Sequence, residues 1–494
     1  MKRNVMSRTA TASIALVVAQ LFAKLVDFFL ILLLARILTP EDFALIAIAM
    51  IFVQVTEAVL EMPVFQAIIR VDRVTRNMLH TAFTISIIRS IIVVAIILVL
   101  TPVAVFLFDD ARLYSLMALL SLAPALRGLY NPKMVLFARR LNFYPEATIS
   151  VIAKVVTALI ALPFAITTKS YWALAMMTIL APTILFSASY IYVPFRPKLS
   201  LKSWNIFSNM VGWSTVAQFF NAANWQSDVF VLGQFVSRRT TGNLSVAHNL
   251  NTTISHIFIG PVIRPFISSF SELMRTDEIK RGYLSATKAV FLVTGPVFAT
   301  LAILSVPSIY FLFGPDWTQA PQFMTVIAFA TLITVSVQPA GSIAYAMDRT
   351  VFVALIMFTG FLFKGTLMYV GYQLYGIPGF FAGQISGAVA YLIVAVFVVK
   401  HLIKIPVLRQ ISNVLTIVVA LGAMAFCLRM LLPIISYDNQ FTLLFSIIGV
   451  TLIGLVVYLA TICACWIALG RPDGIERDAM KRLSSLIRRS SASA

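Results

Sequence analysis

The sequence is poor in charge: only 12% of its 494 residues are Asp, Glu, Lys or Arg. A water-soluble chain of this length carries about 25% to cover its surface, so most of this surface does not face water. Cysteine is nearly absent. Cys427, Cys463 and Cys465 all lie in or near apolar runs, which excludes a disulfide framework or a zinc site and leaves them as small packing residues. The short alternating segments of a membrane β-barrel are missing. So are an Asp-x-Asp pair for the metal of a sugar-nucleotide transferase and a phosphate-cradling ATP loop.

What the chain has instead is apolar sequence, 60% of all residues, with a mean hydropathy of +0.93. It comes in runs of roughly 20, the length a helix needs to cross a hydrocarbon core about 30 Å thick. These runs predict an all-α polytopic membrane protein of about fourteen transmembrane helices. The expected spans are 12–36, 42–69, 79–107, 113–138, 145–167, 171–193 and 205–235, then 241–270, 284–312, 318–346, 350–374, 377–400, 408–433 and 441–469. Punctuation such as Thr39-Pro40-Glu41-Asp42, Asp109-Asp110, Gly314-Pro315-Asp316 and Gly376-Ile377-Pro378-Gly379 marks the breaks. Pro63, Pro124, Pro261 and Pro339 fall inside spans, where neighbouring helices satisfy the freed carbonyls. Met1 to Arg8 is short and basic, and Lys24 and Asp27 interrupt the run behind it, which reads as an uncleaved first helix.

The charge of +19 is placed by topology. With the N-terminus in the cytoplasm, 26 of the 38 Lys and Arg fall on cytoplasmic connections and termini, and 6 on the opposite side. That bias predicts both termini in the cytoplasm of a bacterial inner membrane. It also accounts for the basic balance without nucleic acid. The tail from Glu476 to Arg489 reads as a basic surface helix on anionic membrane lipids.

The two halves resemble each other. Val18-Ala19-Gln20-Leu21-Phe22 returns as Val216-Ala217-Gln218-Phe219-Phe220, and Ala44-Leu45-Ile46-Ala47 has a counterpart in Leu244-Ser245-Val246-Ala247. The join is the basic stretch 194–202. The expected organisation is two pseudo-symmetric lobes around a central cavity, 1–197 and 198–403, with two additional helices over 404–470 and a cytoplasmic tail over 471–494. Such repeats are the usual architecture of alternating-access transporters, with the substrate at the repeat interface.

Six cations remain inside spans: Lys24, Arg89, Arg127, Lys154, Arg264 and Lys364. Each costs roughly 2.5–3.5 kcal/mol at a helix centre, so it faces either a wet cavity or a partner. Asp27 lies three residues from Lys24, Glu57 and Glu61 share a face of the second span, and Asp228 lies in the seventh. Two helices look lined for water: Gln20, Lys24 and Asp27 form one stripe, and His248, Asn251, Thr252, Ser255 and His256 another. The seventh span adds Gln218, Asn221, Trp225 and Asp228. Arg89 and Glu61 lie near enough to helix ends to snorkel, and the histidines are either interhelical hydrogen-bond donors or solute contacts. Trp213 and Trp225 belong by default to the interfacial belt. Six bases against four acids favour an anionic guest. The binding candidates are therefore Lys24, Arg127, Lys154, His248, His256, Arg264 and Lys364. Asp27, Glu57, Glu61 and Asp228 are the candidates for H+ or Na+ coupling, with no cofactor or metal expected.

Specific motifs appear between Gly242 and Arg349. Gly242-Asn243-Leu244-Ser245-Val246-Ala247-His248-Asn249-Leu250, Gly260-Pro261-Val262-Ile263-Arg264-Pro265-Phe266, Arg281-Gly282-Tyr283 and Phe313-Gly314-Pro315-Asp316-Trp317 together resemble the second half of Wzx-type polysaccharide flippases, in particular the exopolysaccharide and colanic-acid branch. In the first half Ala35-Arg36-Ile37-Leu38-Thr39-Pro40-Glu41-Asp42-Phe43-Ala44 resembles a family segment, with Thr39 and Ala44 in place of glycines. The resemblance implies a fold shared with multidrug antiporters and lipid II flippases. It implies as substrate an oligosaccharide repeat unit on undecaprenyl pyrophosphate, carried from the cytoplasmic to the periplasmic leaflet, and a cationic cavity for its headgroup. Lys24 falls where related flippases keep a basic residue. Polymerase and chain-length or export proteins of the same pathway are the partners it suggests. A small-solute or drug antiporter of the same fold is the rival, although a cationic drug calls for carboxylates. A membrane polymerase would carry a large external loop, and a structural scaffold leaves the intramembrane charges unexplained.

Overall fold

In the computed structural model the described residues are 22–61, 64–71, 73–139, 142, 144–208, 213–273 and 278–470. Their regular structure is all helix, with no strand among them. Helix α1 covers 22–35. It is followed by α2 (Pro40–Val59), α3 (Val64–Arg70), α4 (Arg76–Phe108), α5 (Arg112–Leu120), α6 (Leu122–Gly128), α7 (Val135–Arg139), α8 (Tyr144–Thr168), α9 (Trp172–Tyr192) and α10 (Asn205–Ser208). Then come α11 (Trp213–Leu232), α12 (Arg238–Leu273), α13 (Ile279–Ile303), α14 (Ser305–Phe313), α15 (Ala320–Val335), α16 (Pro339–Ala346), α17 (Thr350–Ile403), α18 (Val407–Leu431) and α19 (Gln440–Ala468). Residues 1–21, Pro63 and the tail beyond Gly470 lie outside the described set, and with them the expected N-terminal segment, Gln20 and the basic surface helix.

The chain is a multi-pass membrane protein. Among the described residues eight helices are long and apolar enough to cross a bilayer, and a ninth is obtained if α15 and α16, bent by 41°, form one span. Two further expected spans, α11 and α12, fall outside this set because of their polar content: Gln218, Asn221, Asn224 and Gln226 on one, Asn243, His248, Asn251 and His256 on the other. The expected second span, 42–69, is not one helix. α2 ends at Val59 with its cap at Leu60, and α3 starts at Val64.

Local chemistry explains the helix limits. Pro40 occupies the first turn of α2, and Thr39 and Asp42 close a reciprocal capping box in which each side chain accepts from the other's backbone N–H. α17 is a hairpin of two spans that turns at Gly376, whose φ of 65° suits glycine. Its arms touch backbone to backbone. A Cβ on Gly383 would lie 2.3 Å from the Leu367 carbonyl oxygen, and one on Gly387 would lie 2.6 Å from Lys364 Cα. Small residues let membrane helices approach in this way.

The chain forms two compact units, 1–246 and 247–494. In the first, α11 packs along α2 and α8 along α9. In the second, α13 packs on α15 and α18, and α18 on α19, around Phe291, Leu421, Met424 and Tyr458. The compact units describe packing, whereas the join at 194–202 describes a repeat; the lobe division 1–197 and 198–403 stays a proposal.

One hydrogen bond in the second unit shows how a proline is accommodated. Pro296 lies inside α13 and has no N–H, so the Leu292 carbonyl loses its helical donor. The Tyr458 hydroxyl of α19 donates to that oxygen at 2.9 Å. Tyr458→Phe is expected to destabilise the protein by about 1–3 kcal/mol, the cost of an orphaned buried acceptor. Adding Pro296→Ala restores the N–H and should recover much of the loss. Thermal unfolding in detergent reads both effects.

Candidate ion-paired site in the first unit

The cations expected inside the membrane do not all stand alone. Lys154 on α8 reaches Asp27 on α1, Nζ to Oδ1, at 2.8 Å. This corrects the expected pairing of Asp27 with Lys24. A neighbour on the same helix contributes only a few tenths of a kcal/mol, and α8 presents an ammonium directly. Among the described residues Lys24 makes no ion pair, and its side chain is exposed.

Around Glu57 on α2 two guanidiniums converge. Arg127 on α6 meets the carboxylate at 2.9 Å. Arg89 on α4 donates from Nη2 to the Glu57 backbone carbonyl at 3.1 Å, while its Nε is buried with no hydrogen-bond partner. Glu61 does not share a helical face with Glu57, because it lies past the end of α2 and is exposed. Arg127 also lines a cavity of about 520 Å³ between α3, α6, α8 and α9, with Tyr130, Ser150 and Glu146. Glu146, in the first turn of α8, is a carboxylate that spacing did not single out. It sits one residue inside an expected span and reads from sequence as an interfacial acid.

The remaining candidates are dispersed. Asp228 on α11 is buried, 1% exposed, with Ser227 Oγ donating to its Oδ1 at 3.4 Å. Trp225 donates from Nε1 to Asn221 Oδ1 at 3.1 Å, and Gln226 bridges to Gln54 of α2 at 2.6 Å. On α12 the polar stripe divides. Asn251 is buried and donates to Thr331 on α15 at 3.0 Å, Thr252 and Ser255 bond back to the carbonyls of His248 and Asn251, and His256 is exposed. His248 is half-buried. Lys364 is half-buried in the α17 hairpin beside Gly387. Arg264 lies on α12, its side chain outside the described set.

A further cluster lies just past the end of α4. Asp109 ends α4 in the left-handed conformation. Asp110 then accepts from the Arg112 backbone N–H at 3.1 Å and from its guanidinium at 3.0 and 2.8 Å, with Arg238 at 3.7 Å. The Arg238 guanidinium stands 6.0 Å over the Phe108 ring, which packs edge-on against Phe52 and Phe230. One turn on, Gly242 touches α2 so closely that a Cβ would lie 1.8 Å from the Pro40 carbonyl oxygen. In the sequence Asp109, Asp110, Arg112 and Arg238 read as loop punctuation and topology charges, and Gly242 as part of a family motif. The signal was the Asp-Asp-x-Arg run, which does not disclose its third partner 126 positions later.

Burial pushes the Asp110 carboxyl upward, but the hydrogen bonds from Arg112 and the charges of Arg112 and Arg238 outweigh it and hold the group below its ordinary value. A depressed folded-state pKa contributes stability above the unfolded value, lost as pH falls through the folded one. The stability advantage of wild type over Asp110→Asn is therefore expected in full at neutral pH. It should vanish only below the ordinary carboxylate value of about 3.9. Unfolding midpoints measured against pH check this.

The fold and these intramembrane ion pairs define a polytopic helical membrane protein that holds charge within its bundle. A family model described as "Polysaccharide biosynthesis protein" matches residues 33–322, and the chain belongs to that family. Two relatives are "Succinoglycan biosynthesis transport protein ExoT" of Rhizobium meliloti (strain 1021), 22% identical over 306 residues, and "Teichuronic acid biosynthesis protein TuaB" of Bacillus subtilis (strain 168), 21% identical over 310. The matches cover 60% and 59% of this chain and only 61% and 62% of those relatives. Among solved structures, "Lipid II flippase MurJ, inward closed conformation" is similar with a TM-score of 0.73 and 16% identity, covering 93% of this chain and all of that one. An inward-facing multidrug resistance MATE family transporter of the MOP superfamily follows the same fold at TM-score 0.56 and 13% identity, over 79% of this chain and 95% of that one.

Proposed function

We propose that the chain flips undecaprenyl-pyrophosphate-linked oligosaccharide repeat units from the cytoplasmic to the periplasmic leaflet of the inner membrane, with both termini in the cytoplasm, for exopolysaccharide assembly. The observation that carries the reading is the convergence of two guanidiniums on Glu57, whose carboxylate meets Arg127 while Arg89 approaches only its carbonyl. Asp27 is likewise taken by Lys154, which leaves Lys24 on the same helix as positive charge. A pyrophosphate headgroup supplies the missing anion. Fixed Lys and Arg groups in a low-dielectric bundle bind such a group more strongly than water-exposed ones do. Dispersal over several helices keeps binding weak enough for release.

Family membership and the transport named for the Rhizobium relative support the same direction. Coupling to H+ or Na+ would fall to Asp27, Glu57, Glu61 or Asp228, and polymerase and export proteins would take the product on the far side. The test is made in cells lacking the chain. Lipid-linked repeat units should accumulate with their sugars shielded from a membrane-impermeant oxidant applied to spheroplasts. Accumulation of units already open to the oxidant would place the block after flipping and overturn the proposal.

A further inference from the structure

The second unit holds a groove of about 550 Å³ between α13, α15, α17 and α18. Its walls are apolar, including Phe291, Phe329 and Val414, and small residues keep one end open: Ala302, Gly422 and Ala425. From Gln410 to Ala425 it follows α18 for about 22 Å at 1.5 Å per residue, longer than the roughly 15 Å of hydrocarbon in one leaflet. At its end nearest the start of α18 stands Gln410, 6% exposed. Its Nε2 donates to the Val396 and Ile405 carbonyls, each at 3.1 Å, which fixes the orientation of the amide. Its Oε1 is buried with no hydrogen-bond partner. A buried acceptor in that state calls for a donor from a ligand.

The charge in the segments that flank Gln410 and the start of α13 is one-sided. Segments 278–288 and 400–409 carry Lys280, Arg281, Lys288, Lys400, Lys404 and Arg409 against one carboxylate, Glu278. All of these cations except Lys288 are exposed. The Asn413 side chain, one turn beyond Gln410, donates to the Leu284 carbonyl at 2.8 Å, so the starts of α13 and α18 lie side by side.

We infer that this groove binds an anionic phospholipid of the phosphatidylglycerol class. One acyl chain lies along the apolar walls, the phosphate sits on the basic rim, and a headgroup hydroxyl donates to Gln410 Oε1. Phosphatidylcholine fits the walls equally but has neither net negative charge nor a donor, so the rim and the amide select against it. The inference needs only the membrane location of the chain and stands or falls apart from flipping.

The test uses the full chain, delipidated in detergent and titrated with each lipid under native mass spectrometry. Phosphatidylglycerol should be retained roughly tenfold better than phosphatidylcholine, each basic residue near anionic lipid adding to the difference. Gly422→Leu should remove the adduct with the unfolding midpoint unchanged, because a Cβ there meets nothing within 4 Å. Arg409→Glu should lower phosphatidylglycerol retention and leave phosphatidylcholine alone. Equal retention of the two lipids, or an undiminished phosphatidylglycerol adduct in Gly422→Leu, would overturn the site. Displacement of phosphatidylglycerol by equimolar undecaprenyl phosphate would overturn it as well, reassigning the groove to a polyprenyl chain.

Discussion

Lys24→Glu, Arg264→Glu and Lys364→Glu are each expected to cut polymer export on the order of a hundredfold or more while leaving the chain inserted. The estimate rests on one attraction to a pyrophosphate replaced by one repulsion. At an effective dielectric of about 20, a unit pair at 4 Å interacts by about 4 kcal/mol, and even a fraction of this is a large kinetic effect. The three sites come from three different helices, so a loss in all three is not one helix misfolding. Arg429→Glu, an exposed position at the end of α18, makes the same charge change and should export normally. Lys154→Glu and Arg127→Glu would be less informative, since each also strands a carboxylate, Asp27 or Glu57. Export at wild-type levels in all three primary variants would rule the cationic mechanism out.

Gly242→Ala is the second large effect. The added methyl would lie 1.8 Å from the Pro40 carbonyl oxygen and 2.5 Å from its carbon. Both are backbone atoms that cannot swing aside, and Pro40 is pinned by the Thr39–Asp42 capping box. Overpacking costs about 1–3 kcal/mol in well-packed interiors, and each 1.4 kcal/mol moves an equilibrium about tenfold. The packed arrangement of α2 against the start of α12 should therefore give way to an opened one. Export should fall, and a cysteine at Thr240, 6% exposed in the packed arrangement, should become reactive to an impermeant thiol reagent. Gly260→Ala on the same helix is the control, since a Cβ there meets nothing within 4 Å. Wild-type export with an unreactive Thr240→Cys would show that this contact does not have to open.

Particular residues show how much of this was legible in the sequence. The Gly376-Ile377-Pro378-Gly379 run marked the turn of the α17 hairpin because a tight turn needs a positive φ, a local requirement written in local sequence. The break after Val59 was missed for the opposite reason. Pro63 read as a tolerated interior proline, and hydropathy continues across it unchanged. Helical spacing pairs Asp27 with Lys24, but its partner comes from α8, and spacing within one helix cannot say which helix lies beside it. The stripe from His248 to His256 has the period of a wetted face. Its Asn251 instead turns to Thr331 on α15, a contact 80 positions distant that periodicity does not encode. The Asp110 cluster stayed hidden because a charge count for topology treats loop arginines as markers and not as partners.

Reconstitution tests the central claim most directly. Purified chain in liposomes, supplied with fluorescent undecaprenyl-pyrophosphate oligosaccharide in both leaflets, is probed with an impermeant quencher added outside. The account predicts that quenching runs past the outer-leaflet half towards completion at a rate set by the amount of protein, and that Lys24→Glu slows it at least tenfold. Quenching that stops at half, as in protein-free liposomes, would contradict it.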